Sequence, residues 1–137
     1  MPLTSLIIYK GELRTSAEHL HSGTTIVTDA PLDNHGLAQS FSPTDLVATA
    51  LGACMLTMMG IKARENDWDI DGTRVAVEKI MTDNPRRIAE IVVGLYFPTF
   101  NDEKARTILE NTARTCPVAK SVHPDILQKI TFNWNAL

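Results

Sequence analysis

Cys54 and Cys116, the two cysteines of the sequence, are the side chains best able to act as nucleophiles. A thiolate attacks peroxides, disulfides and metals, whereas a thiol is sluggish, so the surroundings of each sulfur decide its chemistry. Cys54 stands among Ala50, Leu51, Gly52, Ala53 and Met55. That setting reads as a packed core thiol; burial would raise its pKa, so a reactive Cys54 needs a cation nearby. Cys116 precedes Pro117, and proline favours the first helical position, which puts Cys116 at a predicted N-cap. A thiolate there faces unpaired backbone N–H groups and the positive end of the helix dipole, the setting of a low-pKa thiol. The plainer alternative is a sulfur standing in for a serine cap. No C-x-x-C turn joins the two, so any partnership must come from the fold.

Other site chemistries fit less well. The candidate metal ligands are the two cysteines with His19, His21, His35 and His123, none at the paired spacing of zinc sites. His19 and His21 would share one strand face, which surface histidines do without any metal. The sequence has no Gly-rich phosphate loop, no G-x-S-x-G elbow and no dinucleotide fingerprint. No cofactor and no metal are expected.

The elements that must position the cysteines follow from local pattern. Residues 6–9, 13–19 and 24–28 read as strands, separated by Gly11 and Ser22-Gly23. Residues 29–41 read as a long loop, of the kind that is functional or mobile. Ser42, Pro43 and Asp45 then announce a helix reaching about Asn66, with Ser42 as N-cap and Asp45 at capping-box spacing. Leu46, Ala50, Cys54, Met58 and Ile61 form one row along it, and Val47, Leu51 and Met55 an adjacent one. A helix apolar nearly all round is predicted to be buried nearly all round, in part by a second subunit. Residues 73–81 and 88–97 read as a hairpin turned by Asn84-Pro85. Asp102 caps a helix ending near Arg114, with Ala105, Ile108, Leu109 and Thr112 inward. Pro117 starts a short helix to about Val122, and residues 130–134 close as a strand. The order βββ-α-ββ-α-α-β gives an α+β class, with two groups of antiparallel strands around a long buried central helix.

Composition narrows the partners. The chain has 137 residues, 44% hydrophobic and 21% charged, which suits one soluble domain over residues 1–137. A net charge of −3 and a pI near 5.7 argue against nucleic acid or an anionic membrane surface. The uncharged stretch from Leu46 to Ile61 is shorter than the roughly 20 apolar residues of a membrane span. No leader-like run opens the sequence, so a reducing cytoplasm is expected. There, two cysteines are core thiols or redox groups and not a disulfide framework.

The run Phe41-Ser42-Pro43-Thr44-Asp45-Leu46, then Ala50-Leu51-Gly52-Ala53-Cys54, with a later Cys116-Pro117, resembles the osmotically inducible protein C/organic hydroperoxide resistance family. The resemblance extends over nearly the whole chain and implies an OsmC-like fold. It implies a thiol peroxidase of organic hydroperoxides in oxidative-stress defence, with Cys54 as peroxidatic thiol and Cys116 as resolving thiol. It also implies an arginine on an early strand beside the peroxidatic sulfur, a place matched by Arg14, and an intertwined homodimer with each site at the subunit interface. The implied reductant is an external dithiol, lipoyl-type or a small thiol. An apolar wall of Leu51, Met55 and Met58 would favour alkyl or fatty hydroperoxides.

The sequence departs from the family at one position. The best-characterised branch has a glutamate directly after the helix-opening proline, which orients the arginine; here Thr44 stands there, with Asp45 next. Asp45 either orients Arg14 through a shifted geometry or caps its own helix. Without Arg14, Lys120 or Arg114 would be the next cations to consider. The stretch Thr28-Asp29-Ala30-Pro31 resembles a branch whose activity is unsettled. A second reading is therefore a non-catalytic dimeric protein that binds a small apolar ligand and keeps its cysteines as core residues.

Overall fold

The long helix begins where its capping residues dictate. Ser42 Oγ accepts the Asp45 N–H at 3.0 Å, and Asp45 Oδ2 accepts the Ser42 N–H at 2.9 Å, the reciprocal arrangement of a capping box. In the computed structural model, which describes residues 2–137, this helix is α1 (Pro43–Glu65). Before it come β1 (Ser5–Gly11), β2 (Arg14–His19) and β3 (Thr25–Asp29). After it come β4 (Arg74–Thr82), β5 (Arg87–Tyr96), α2 (Glu103–Arg114), α3 (Pro117–Ser121) and β6 (Leu127–Asn133). The order is the expected βββ-α-ββ-α-α-β, in two three-stranded sheets. The chain packs as two compact units that divide between Leu46 and Val47.

The first unit is an antiparallel meander, β1-β2-β3. Its register sets Arg14 directly opposite Asp29. Glu12 and Leu13, both at positive φ, turn the chain just before Arg14. The segment after β3 is no loose loop. A 3₁₀ turn at Leu32–Asn34 is followed by Gly36, where a Cβ would fall 1.7 Å from the Ala30 carbonyl oxygen, a contact only glycine avoids. Ala38 N–H donates to Ala30 O, and Ser40 Oγ donates to Val27 O at 2.7 Å. The segment is thereby folded back onto β3. In β1, Leu6, Ile7, Ile8 and Tyr9 are all exposed, so apolar side chains cover both faces of that strand.

The second unit packs α1 and α2 with the sheet β4-β5-β6. Pairing of β4 with β5 is antiparallel, but β6 runs parallel to β5. The second strand group is therefore mixed where an antiparallel one was expected, because α2 and α3 carry the chain back before it re-enters the sheet. Ile91, Val93 and Leu95 of β5 are fully buried with Leu51, Met55 and Met59 of α1. At Gly52 the helix comes so near the sheet that a Cβ would lie 2.9 Å from Val77 Cγ2 and 3.1 Å from Val75 Cγ1.

Within a single chain, α1 is buried along one face: Ala48, Leu51, Gly52, Met55, Met59 and Ala63. Val47, Ala50 and Ile61 remain exposed, although they are as apolar as the buried row. By length and composition alone α1 could cross a membrane, and its buried row shows how a core helix passes the same test. In α2 the Asp102 side chain accepts the Ala105 N–H at 3.0 Å, and the buried stripe is Ala105, Leu109 and Ala113. Ile108, expected inward, is exposed.

Candidate functional site

Cys116 lies where Pro117 places it. It is the N-cap of α3, its backbone extended at φ −64° and ψ 155°, with Sγ accepting the Ala119 N–H at 3.4 Å. Its side chain is fully buried in the core. Cys54, at mid-helix in α1, is half-buried and packs against the same core. The fold thus joins the two sulfurs that the sequence separates: Cys54 lies close enough to act directly on the Cys116 thiol. Both are free thiols.

The electrostatics of Cys116 correct the expectation of a low-pKa thiol. Its pKa is raised above the ordinary 9.0, chiefly by burial. The N–H groups of Ala119 and Val118 pull it down, while neighbouring Cys54 pushes it further up. A one-turn helix end does not outweigh loss of water around the sulfur. Burial thereby favours the protonated thiol at Cys116.

Arg14 opens β2 in the first unit, and its guanidinium is gripped by a carboxylate to which the sequence assigns no site role. Nε and Nη2 donate to Asp29 Oδ1 and Oδ2 at 2.7 and 2.9 Å, the bidentate geometry that suits an arginine fork. Nη2 also donates to Gln39 Oε1 at 2.6 Å, and Gln39 N–H donates to Asp29 Oδ2 at 2.9 Å. Asp29 is 2% exposed, and its pKa is lowered from 3.8, foremost by the Arg14 hydrogen bonds and, against burial, by the Gln39 N–H. The same pairing raises the pKa of Arg14. Asp45, weighed as a possible partner of Arg14, closes the capping box with Ser42.

The predicted apolar wall divides. Leu51 and Met55 are fully buried in the core of the second unit, because their face of α1 is the one packed with the sheet, so neither lines an open surface. Met58 is half-buried and is the member left partly accessible. An open recess of about 490 Å³ in the first unit is lined by Ala38, Gln39, Ser40, Phe41 and Asp45. Of the alternative cations, Arg114 lies over the Phe132 ring at 5.1 Å. Among the described residues no three of His, Cys, Asp and Glu gather as a metal would need.

Comparison with known proteins identifies the lineage. A search of curated proteins finds no match. A solved structure from Psychrobacter arcticus 273-4, provisionally described as an osmotic stress induced and detoxification response protein, is 52% identical over 97% of each chain, with a TM-score of 0.94. The fold is shared at lower identity by an OsmC like protein of Mycoplasma pneumoniae: 15% identical, 98% of this chain and 97% of that one, TM-score 0.80. It is shared too by an organic hydroperoxide resistance protein OsmC of Legionella pneumophila: 13% identical, 97% and 98% covered, TM-score 0.75. The family described as OsmC-like protein matches residues 35–130, a stretch that takes in α1 and Cys54, the hairpin β4-β5 and Cys116. By that match and by the 52% identity to the Psychrobacter protein, the chain belongs to the OsmC-like protein family.

Proposed function

We propose that the protein is a thiol peroxidase that reduces organic hydroperoxides through Cys54 and Cys116. The observation that carries this reading is the meeting of a half-buried Cys54 with a fully buried, proton-holding Cys116. Membership of the OsmC-like family, with neighbours named for osmotic stress and hydroperoxide resistance, supports a stress-response role.

The division of labour follows from the surroundings of each sulfur. Cys54 as thiolate attacks the distal peroxide oxygen; the O–O bond breaks, alcohol leaves with a proton, and the sulfur is oxidised to a sulfenic acid. The Cys116 thiol then displaces water from that sulfenic acid, forming an S–S bond. An external dithiol, lipoyl-type or a small thiol, reduces the disulfide by exchange and is itself oxidised. No bound cofactor takes part. Arg14 is the cation we assign to the Cys54 thiolate and the peroxide, from the same chain or from a second copy.

A homodimer belongs to the same proposal. Apolar side chains are exposed on both faces of β1 and along the outer face of α1, the kind of surface that a second copy would cover. A cytoplasmic setting is also proposed, because the cycle needs a supply of reduced dithiol.

Stopped-flow oxidation with cumene hydroperoxide against hydrogen peroxide tests the reading. Fast consumption of the organic peroxide with loss of both thiols is expected. Two inert thiols would instead leave the alternative, a non-catalytic protein that binds a small apolar ligand.

A further inference from the structure

We infer that Asp29, held by Gln39, is the residue that positions Arg14 for the reaction, an inference that rests on the assignment of Arg14 to the thiolate and peroxide. The carboxylate comes from the end of β3 and not from the start of α1.

Three features single it out. Arg14 and Asp29 are cross-strand partners in register, so sheet pairing fixes both backbones before the side chains meet. The two-bond contact through Nε and Nη2 fixes both the position and the plane of the guanidinium, which a single hydrogen bond would not. Asp29 is buried, and the Gln39 N–H and the Arg14 fork hold its two oxygens, so the carboxylate has no second place to go. Gln39 Oε1 then takes a further hydrogen of Nη2. Among the described residues Nη1 makes no hydrogen bond, and the Arg14 side chain is 37% exposed.

This arrangement also accounts for Gly36. The close fold of the segment onto Ala30 is what brings the Gln39 backbone back to Asp29. Arg14, Asp29 and Gln39 thus form a unit built from β2, β3 and the segment before α1, without any carboxylate at position 44.

A mutant cycle tests the inference. The readouts are the rate of Cys54 oxidation by cumene hydroperoxide in a single turnover, and the pH of half-maximal Cys54 alkylation in a Cys116→Ser background. Arg14→Ala should slow oxidation about a hundredfold, the scale for loss of a preorganised donor. Asp29→Asn should slow it about tenfold to a hundredfold through misplacement of that donor. Both should move the alkylation midpoint upward. The double variant should match Arg14→Ala within about twofold, because Asp29 acts only through Arg14.

Each other outcome is decisive. An Arg14→Ala variant as fast as the parent would remove Arg14 from the reaction and with it the reading this inference rests on. A slow Arg14→Ala with an unaffected Asp29→Asn would overturn the positioning role alone, as would losses that add in the double variant. Should Asp29→Asn fail to fold, Gln39→Ala takes its place in the cycle. It should slow oxidation in the parent and leave Arg14→Ala unchanged; no loss, or an additive one, would overturn the inference.

Discussion

Cys54 lies beside Cys116 and raises the pKa of that thiol, although Cys116 caps a helix through its own sulfur. The two sulfurs are inequivalent, one half-buried and one fully buried. One equivalent of organic hydroperoxide is therefore expected to give a single intrachain Cys54–Cys116 disulfide. Cys54→Ser should abolish the first turnover; Cys116→Ser should keep it and then become overoxidised or depend on added small thiols. Mass mapping without reduction checks this, and bridges only between chains would contradict it.

Stability should fall on the alkaline side. The folded state binds the Cys116 proton more tightly than the unfolded chain does. The resulting stabilisation is complete below the ordinary thiol value of 9.0 and is lost as pH rises through the higher folded value. Thermal midpoints from pH 7 upward should therefore decline more steeply in the parent than in Cys116→Ser. Parallel curves would mean the thiol is not held protonated.

The acid side has the opposite sign. Asp29 titrates lower in the fold than the ordinary 3.8, so its stabilisation is complete above that value and is lost as pH falls through the folded one. Asp29→Asn removes this titration. Its thermal midpoint should change less than that of the parent as pH drops from 5 to about 2.

Asp45→Asn separates cap from site. Loss of its bond to the Ser42 N–H should cost about 1 kcal/mol of stability, the usual worth of a cap. Its effect on peroxide reduction should be smaller than that of Asp29→Asn. Urea unfolding and single-turnover kinetics on the same samples give both numbers, and a larger rate loss at Asp45 would return it to the site.

Punctuation made much of this fold legible. Ser42-Pro43, Asp102 and Cys116-Pro117 each mark a helix start through local chemistry, and all three helices begin there. What escaped depends on contacts made at a distance. A β3 ended at Thr28 leaves Asp29 in a loop; with Asp29 as its last residue, register alone brings the carboxylate to Arg14. An α1 apolar on all sides has no phase by which Leu51 and Met55 could be told from an open wall. The direction of the Cys116 shift turns on how fully the core covers it, which no N-cap motif records. The parallel docking of β6 reflects the path of α2 and α3 and has no signature in residues 127–133.

The bare Cα of Gly52 makes β4 a datum surface for the chemistry two residues further along α1. At that crossing α1 lies directly against Val75 and Val77, while Cys54 packs against, and Cys116 is embedded in, the core of the same unit. A methyl group there would act as a shim between α1 and β4. The spacing that the proposed disulfide needs would thus be calibrated by an atom the chain does without.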